Sequence, residues 1–178
     1  AFDGSITELA DLDADEGTHQ HSDSGSFDIA DVDLKDVQSV SVTAQSTTSD
    51  QTANLQTPLG TLTPTLNPNT TGTGSGSIDW TYTVSDAALD YLQKDEQVTE
   101  SFTVTVNDQQ GGTVDQLITV TINGTNDAPT VTTAVGTAGA FDGSITELAD
   151  LDADEGTHQH SDSGSFDIAD VDLKDVQS

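Results

Sequence analysis

The sequence contains no cysteine, no methionine and no arginine, and only three lysines stand against 32 acidic residues. The formal net charge of the 178 residues is therefore −29. Without cysteine the chain has no disulfide framework, no zinc–thiolate site and no thiol nucleophile. Three cations cannot neutralise a run of phosphates, and an anionic membrane surface repels so acidic a chain. These absences exclude nucleic-acid partners and thiol chemistry.

Aromatic residues and long apolar runs are also scarce. The chain has one Trp, two Tyr and five Phe. No apolar stretch approaches the ~20 residues of a membrane-spanning helix, and no signal peptide is recognisable at the start. We therefore expect no direct membrane insertion, and a length of 178 residues suits one domain or one domain plus a fragment.

The strong negative charge bears on folding as well as on partners. Low hydropathy with a large charge of one sign is typical of disordered chains, whereas the residue alternation described below indicates a folded β protein. A chain with this charge can still fold if its carboxylate oxygens bind hard divalent cations, most commonly Ca²⁺, that neutralise them. The alternative is that acidity only keeps an extracellular protein soluble and monomeric. Because the acidic residues are clustered, calcium-dependent folding is the expectation.

The chain contains its own repeat. Residues 1–39 recur without a single difference as residues 140–178, at an offset of 139. Such identity indicates an array of near-identical modules, and a period of 139 residues suits a string of domains rather than a solenoid. The predicted organisation is a complete repeat over 1–129, a linker over 130–139 and the N-terminal part of the next identical repeat over 140–178.

Two-residue alternation of apolar side chains predicts strands. It is clearest over 77–84, where Trp80 and Tyr82 share the inward face, and it recurs over 101–106 and 114–122. A turn at 109–112 makes the last two a hairpin. The remaining predicted strands lie at 5–9, 26–29, 40–44 and 59–66.

One short helix is predicted at residues 86–92, with Ser85 as its N-terminal cap and Asp86 favourably placed in its first turn. Leu89 and Leu92 should then close one end of the core. Seven short strands separated by turn signals predict an all-β, immunoglobulin-like sandwich, repeated in tandem.

Several segments resemble a known family. Residues 102–113 (FTVTVNDQQGGT) and 118–129 (ITVTINGTNDAP) look like the end of a VCBS-type repeat, 80–92 resembles its middle, and 25–33 resembles its early acidic element. The acidic, histidine-containing insertion at 11–24 departs from that pattern. The resemblance implies a cadherin-like Greek-key sandwich. It also implies extender domains of large RTX-type adhesins, exported by type I secretion to the bacterial cell surface.

A calcium site between neighbouring repeats is predicted from the linker and the second copy. Calcium takes six to eight oxygen ligands, so carboxylates from the linker and both neighbouring modules can complete one shell. The candidate ligands are Asn126, Asp127, Glu147, Asp170, Asp172 and Asp175. Their first-copy equivalents, which lack the preceding linker and should form a weaker site, are Glu8, Asp31, Asp33 and Asp36. The alternative is that all of these are solvated turn carboxylates.

Two further motifs could bind metal. Residues 11–16, repeated at 150–155, resemble the start of an EF-hand loop but lack its Gly at position six and its Glu at position twelve. His19 and His21, repeated at His158 and His160, could bind zinc or nickel with a nearby Asp. An exposed polar loop is the preferred interpretation of the histidine pair.

No catalytic constellation is evident, because the chain lacks Cys and Arg and no Ser lies in a nucleophile elbow. The favoured hypothesis is a non-enzymatic, calcium-rigidified spacer whose partners are neighbouring identical repeats. The second is a module that itself binds sugar or another adhesin with avidity from copy number; it would expose Trp80, Tyr82 or Tyr91. Ice binding by threonine rows such as 61–63 ranks last, because the array is irregular.

Overall fold

The computed structural model describes residues 2–10, 18–49, 58–135, 145–146, 159–170 and 172. Over these residues the protein is almost entirely β-structure, which confirms the all-β prediction. The chain forms two compact units, one of Ala1–Asp127 with Asp172–Ser178 and one of Ala128–Val171. The EF-hand-like motif at 11–16 and its repeat lie outside the described residues.

Strands form at each of the seven predicted positions, and two more follow. Their bounds are β1 (Phe2–Thr7), β2 (Gln20–Ala30), β3 (Ser39–Ser49), β4 (Thr61–Leu66), β5 (Ser75–Ser85), β6 (Gln97–Asn107), β7 (Thr113–Asn123), β8 (Thr130–Val135) and β9 (Ser165–Ala169). β8 occupies the start of the stretch that the sequence suggests is a linker, and β9 repeats part of β2.

The first unit contains two sheets. One is four-stranded in the order β1-β7-β6-β3, and the other is three-stranded in the order β2-β5-β4. β1 runs parallel to β7, and the other pairs are antiparallel. Parallel pairing of Thr7 with Asn123 brings the ends of β1 and β7 together, at what we call the C-terminal end of the unit. The opposite, N-terminal end carries Ala30 and the β6–β7 turn.

The core lies between the two sheets and follows the predicted alternation. Trp80 is 3% exposed and Tyr82 is fully buried, and the ring of Tyr82 lies 5.8 Å from that of Phe102 across the core. Trp80 packs directly on β2 because Gly25 has no side chain there; a Cβ at Gly25 would lie 2.7 Å from the indole ring. The inward orientation predicted for the β5 aromatics is confirmed.

The predicted helix at 86–92 is wrong in length and in its cap. Only Asp86–Ala88 forms a single 3-10 turn, and the Ser85 side chain makes no capping hydrogen bond. A segment this short cannot offset the cost of helix nucleation, and the Asp86 carboxylate is engaged elsewhere. Leu89 and Leu92 are nevertheless fully buried, as predicted.

The second unit contains the antiparallel pair of β8 and β9. Its large apolar side chains whose exposure the structure describes are open to solvent: Phe166 is 57% exposed, whereas its first-copy equivalent Phe27 is 9% exposed. The difference arises because Phe27 packs into a two-sheet core. None of the helical structure in the described residues is long and apolar enough to cross a membrane.

Candidate metal centre

Four buried carboxylates interact at the C-terminal end of the first unit: Glu8, Asp86, Asp127 and Asp172, all no more than 3% exposed. We call them the C-terminal acidic cluster. Glu8 directly follows β1 and Asp86 directly follows β5, while Asp127 lies shortly after β7. Their convergence follows from the topology, because parallel β1 and β7 end side by side. Asp172 lies in the second copy of the repeated sequence, but in the structure it is part of the first compact unit.

Glu8 is held in place by the last residue of β7 and by the segment that follows it. Its N–H donates to the Asn123 carbonyl at 3.1 Å, and its Oε2 accepts the Thr125 N–H at 2.8 Å. The Thr125 hydroxyl donates to the Glu8 carbonyl at 2.9 Å. The other carboxylate oxygen, Oε1, is buried without a hydrogen-bond donor. One oxygen of this carboxyl group therefore accepts a hydrogen bond from the protein, and the other accepts none.

The surroundings of Glu8 strongly disfavour its charge. Burial raises the pKa of the Glu8 carboxyl to about 9, and the charges of Asp127, Asp172 and Asp86 add to the increase. The hydrogen bond from the Thr125 N–H acts in the opposite direction but does not prevail. A bound cation is the chemical group that would reverse this balance.

Asp127 and Asp172 are in direct contact. The Asp127 N–H donates to Asp172 Oδ2 at 2.8 Å, and both side chains are buried. The preceding Asn126 is exposed and donates from Nδ2 to the Asp127 carbonyl at 2.6 Å. The structure thus brings together two of the predicted site residues that are 45 positions apart in sequence.

Asp86 links the cluster to a histidine. Its Oδ1 accepts the Leu9 N–H at 3.1 Å and lies 2.5 Å from His21 Nε2, whereas its buried Oδ2 has no hydrogen-bond partner. His21 is part of β2 and is 8% exposed, so the exposed-loop interpretation is wrong for this residue. His19 stacks edge-on to it, with ring centroids 4.7 Å apart.

Glu96 borders the same region and is also buried, at 4% exposed. Its carbonyl accepts the Gly124 N–H at 3.0 Å. Burial, followed by the charges of Glu100, Glu96 and Glu8, raises the pKa of the Tyr91 hydroxyl. The two lysines of the described residues, Lys35 and Lys94, are both exposed. Neither of these two lysines is buried among the carboxylates, and burying such charges without compensation is costly.

Glu100 is a buried carboxylate of a different kind, and it was not predicted from the sequence. Its oxygens accept four hydrogen bonds, from Thr47 Oγ1 (2.9 Å), Leu59 N (2.9 Å), Gly60 N (3.1 Å) and Tyr82 OH (2.7 Å). Burial, the hydrogen bond to Glu100 and its charge raise the pKa of the Tyr82 hydroxyl. The sequence feature that could have identified Glu100 is an acidic residue at an inward-facing position of the alternating pattern of β6. Protein donors satisfy this carboxylate.

A second acidic group lies at the N-terminal end of the first unit. Ligand oxygens of Asp31, Asp33 and Asp36 all lie within 4.8 Å of one another. The Asp33 N–H and Gln38 Nε2 each donate to the Asp31 carboxylate at 2.9 Å. Partial burial and the charges of Asp31, Asp33 and Asp108 raise the pKa of the Asp36 carboxyl. This group is more exposed than the C-terminal acidic cluster.

The structure does not bring Glu8 together with Asp31, Asp33 and Asp36. β1 ends at the C-terminal end of the unit, whereas β2 runs the other way and delivers Asp31 to the N-terminal end. Asp170 lies in the second compact unit. Glu147 and Asp175, also predicted as ligands, lie outside the described residues.

Asp108 stabilises the β6–β7 turn. Its Oδ1 accepts the N–H groups of Gln110 at 2.7 Å and Gly112 at 2.9 Å, and these hydrogen bonds lower the pKa of the Asp108 carboxyl. Gln109 and Gly111 adopt positive φ angles of 64° and 111° in this turn. The Asp108 carboxylate therefore already accepts the hydrogen bonds that stabilise this turn.

No protein-family model matches the chain, and no curated protein sequence matches it.

The Glu8 environment predicts a pH dependence when divalent cations are removed by a chelator. The Glu8 pKa rises from an ordinary 4.5 to about 9 on folding, so the folded state holds a proton that the unfolded state releases. Stability contributed by that proton is complete below pH ~4.5 and declines as pH rises towards ~9. Melting temperatures measured in chelator should therefore fall between pH 5 and pH 8.

Two variants identify the group responsible for this slope. Glu8→Gln keeps an acceptor for the Thr125 N–H but cannot ionise, and it should flatten much of the slope. Asp3→Asn removes a charge from an exposed position of the same strand and should leave the slope intact. A slope that survives Glu8→Gln unchanged would show that another group titrates.

Proposed function

We propose that the protein is a calcium-rigidified extender repeat of a secreted bacterial adhesin. In this role it is a spacer that projects distal adhesive domains from the cell surface for attachment and biofilm formation. The observation that carries the proposal is the C-terminal acidic cluster, in which the buried Glu8 carboxyl interacts electrostatically with the buried Asp127 and Asp172. Membership of the VCBS-type family and a Greek-key connectivity are part of this proposal.

The donor set of the cluster suits a hard cation. All of its charged atoms are carboxylate oxygens. Calcium prefers such ligands, whereas soft metals prefer sulfur ligands. Glu8 Oε1 and Asp86 Oδ2 are buried without hydrogen-bond partners, so they are available as ligands. Bound calcium would neutralise like charges whose burial is otherwise unfavourable.

A cation at this position would also explain the exact repeat. Asp172 comes from the second copy of the sequence, whereas Glu8 comes from the first. One ion held by both would tie the start of one repeat to the end of the repeat before it. Length in an adhesin requires many similar modules in series, and rigid connections between them keep the string extended.

The switch that we propose is the difference in free calcium between cytosol and exterior. Where calcium is scarce, repulsion among the 32 acidic residues favours an unfolded chain suited to a narrow exporter. Outside the cell, calcium near the ~10⁻⁴–10⁻³ M affinities of extracellular modules would fold and stiffen it.

The alternative is a repeat that binds a carbohydrate or a partner adhesin. It required Trp80, Tyr82 or Tyr91 at the surface, but Trp80 and Tyr82 are in the core and Tyr91 is partly buried against it. The burial of these rings favours the spacer.

The test compares Asp172→Asn with Asp33→Asn by calorimetric calcium titration. The two positions occur in identical sequence contexts, but Asp172 is 3% exposed within the cluster while Asp33 is exposed. We expect Asp172→Asn to weaken the tightest calcium site by roughly tenfold or more, a change of about 1.4 kcal/mol. Asp33→Asn should leave that site unchanged.

The sandwich itself should survive the substitution, because Asp172 lies outside the two-sheet core. Near-ultraviolet circular dichroism, which reports the Trp80 and Tyr82 environment, should therefore remain as in the unmodified protein. Equal affinities for the two variants would contradict the proposed site, and loss of the aromatic signal in Asp172→Asn would contradict a role confined to the junction.

A further inference from the structure

The same five residues occur twice in the structure and pair with different strands. Ser26–Ala30 forms the end of β2 and pairs with β5, whereas the identical Ser165–Ala169 is β9 and pairs with β8. Each strand has two edges that can hydrogen-bond. β9 thus reveals that this sequence accepts an antiparallel Thr130–Val135 strand, with one register shift between Val131 and Thr133.

Among the described residues of the first unit, no strand is hydrogen-bonded to the outer edge of this segment. β2 is the outer strand of its sheet in the part of the chain that the structure describes, with β5 along its inner edge. β1 passes close to β2 from the opposite sheet: the rings of Phe2 and Phe27 lie 5.7 Å apart, and the Ser5 N–H donates to Asp23 Oδ2 at 2.8 Å. Residues fused in front of Phe2 would therefore lie beside β2.

The spacing of the second copy fits this position. Val135, the last residue of β8, pairs with Ser165 of β9. Ser165 is the second-copy equivalent of Ser26. A strand laid on Ser26–Ala30 in this register would end beside Ser26, close to Phe2. Five residues separate Val135 from Phe141, the counterpart of Phe2. They span up to ~17 Å, more than the ~10 Å between packed sheets.

We propose that the outer edge of Ser26–Ala30 is a docking site for the Thr130–Val135 strand of another repeat. For this chain the donor is a second copy, which adds a fourth strand next to β2 by main-chain hydrogen bonding. The donor strand is exchangeable because an isolated two-stranded pair is only marginally stable in water, and Phe166 of β9 remains 57% exposed. No cation takes part in the docking contact itself, since only backbone groups form it.

An N-terminal extension tests the site in the full chain. The ten residues TVTTAVGTAG, which precede Ala140 in the sequence, are fused to the N-terminus so that they also precede Ala1. The added strand should dock in cis, raise the melting temperature by roughly 5 °C, and slow amide exchange at alternate residues of Ser26–Ala30. The control extension, TPTPAVGTAG, replaces the residues matching Val131 and Thr133 by proline, which removes donors and disfavours a strand.

Sedimentation of the unextended chain tests the second copy as donor. With rising concentration it should form head-to-tail oligomers, which the native extension should dissociate and the proline extension should not. Equal melting temperatures for the two extensions would overturn the site, and a chain that remains monomeric at all concentrations would overturn the donor. The measurements are made in calcium and in chelator; the same difference between extensions in both separates this site from the cation proposal.

Discussion

Removing divalent cations with EDTA should lower the melting temperature of the protein by roughly 5–10 °C. Calcium present at a hundredfold excess over its dissociation constant stabilises the state that binds it by about 2.7 kcal/mol. For a chain of this size, each kcal/mol corresponds to roughly 2–4 °C. The physical source is the buried cluster, where a cation would replace the proton that Glu8 otherwise holds and would neutralise the neighbouring carboxylates.

The measurement is differential scanning calorimetry in calcium and in EDTA, with small-angle scattering on the same samples. The radius of gyration should rise in EDTA as carboxylate repulsion expands the chain. Glu8→Gln should narrow the difference between the two conditions, whereas Asp3→Asn, an exposed position of the same strand, should preserve it. Stability and scattering that do not respond to chelation would show that the fold is independent of cations.

Glu100→Ala should reduce the free energy of unfolding by about 3–5 kcal/mol in calcium and in EDTA alike. The substitution removes an acceptor of four hydrogen bonds and strands the buried N–H of Gly60 and hydroxyl of Tyr82. Each buried donor left without a partner costs about 1–3 kcal/mol. The same contacts join the segment before β4 to β6, so this segment should become more accessible to proteases.

Urea denaturation measures this loss, and Tyr82→Phe provides the graded control. The phenylalanine ring retains the contact with Phe102 and removes one of the four donors to Glu100, so we expect a cost of about 1 kcal/mol. If the effect of Glu100→Ala appeared in calcium but vanished in EDTA, Glu100 would be a cation ligand and not the structural carboxylate described above.

Strand positions were predictable because their signal is local. The alternation around Trp80 and along β6 and β7 reports a buried face directly, and the structure buries those side chains. The turn at 109–112 was predictable from its glycines for the same reason. The helix at 86–92 was not, because composition alone did not reveal that the Asp86 side chain is used by Leu9 and His21.

The long-range polar contacts could not be predicted in the same way. His21 and Asp86 are 65 positions apart, and Glu100 is 41 positions from Leu59. Nothing in the sequence near either partner specifies these pairs; the register of β2 on β5 and the course of the chain before β4 create them. By contrast, Asp127 and Asp172 were associated through the repeat, which indicates that residues after the second strand of one copy lie near the end of the copy before it.

The acidic residues also illustrate what a motif leaves open. Glu8 and Asp33 occupy equivalent roles in the sequence pattern, as acids that follow or end a strand. The direction of each strand then assigns Glu8 to one end of the unit and Asp33 to the other. Strand direction is a property of the sheet, and single-sequence patterns contain little information about it.

A crystal structure of the chain grown in calcium, with anomalous scattering used to locate the ions, tests the central claim most directly. We expect an ion coordinated by carboxylate oxygens of Glu8, Asp127 and Asp172 at about 2.3–2.6 Å. Calcium bound only at Asp31, Asp33 and Asp36, or a C-terminal acidic cluster that contains no cation in saturating calcium, would contradict the account.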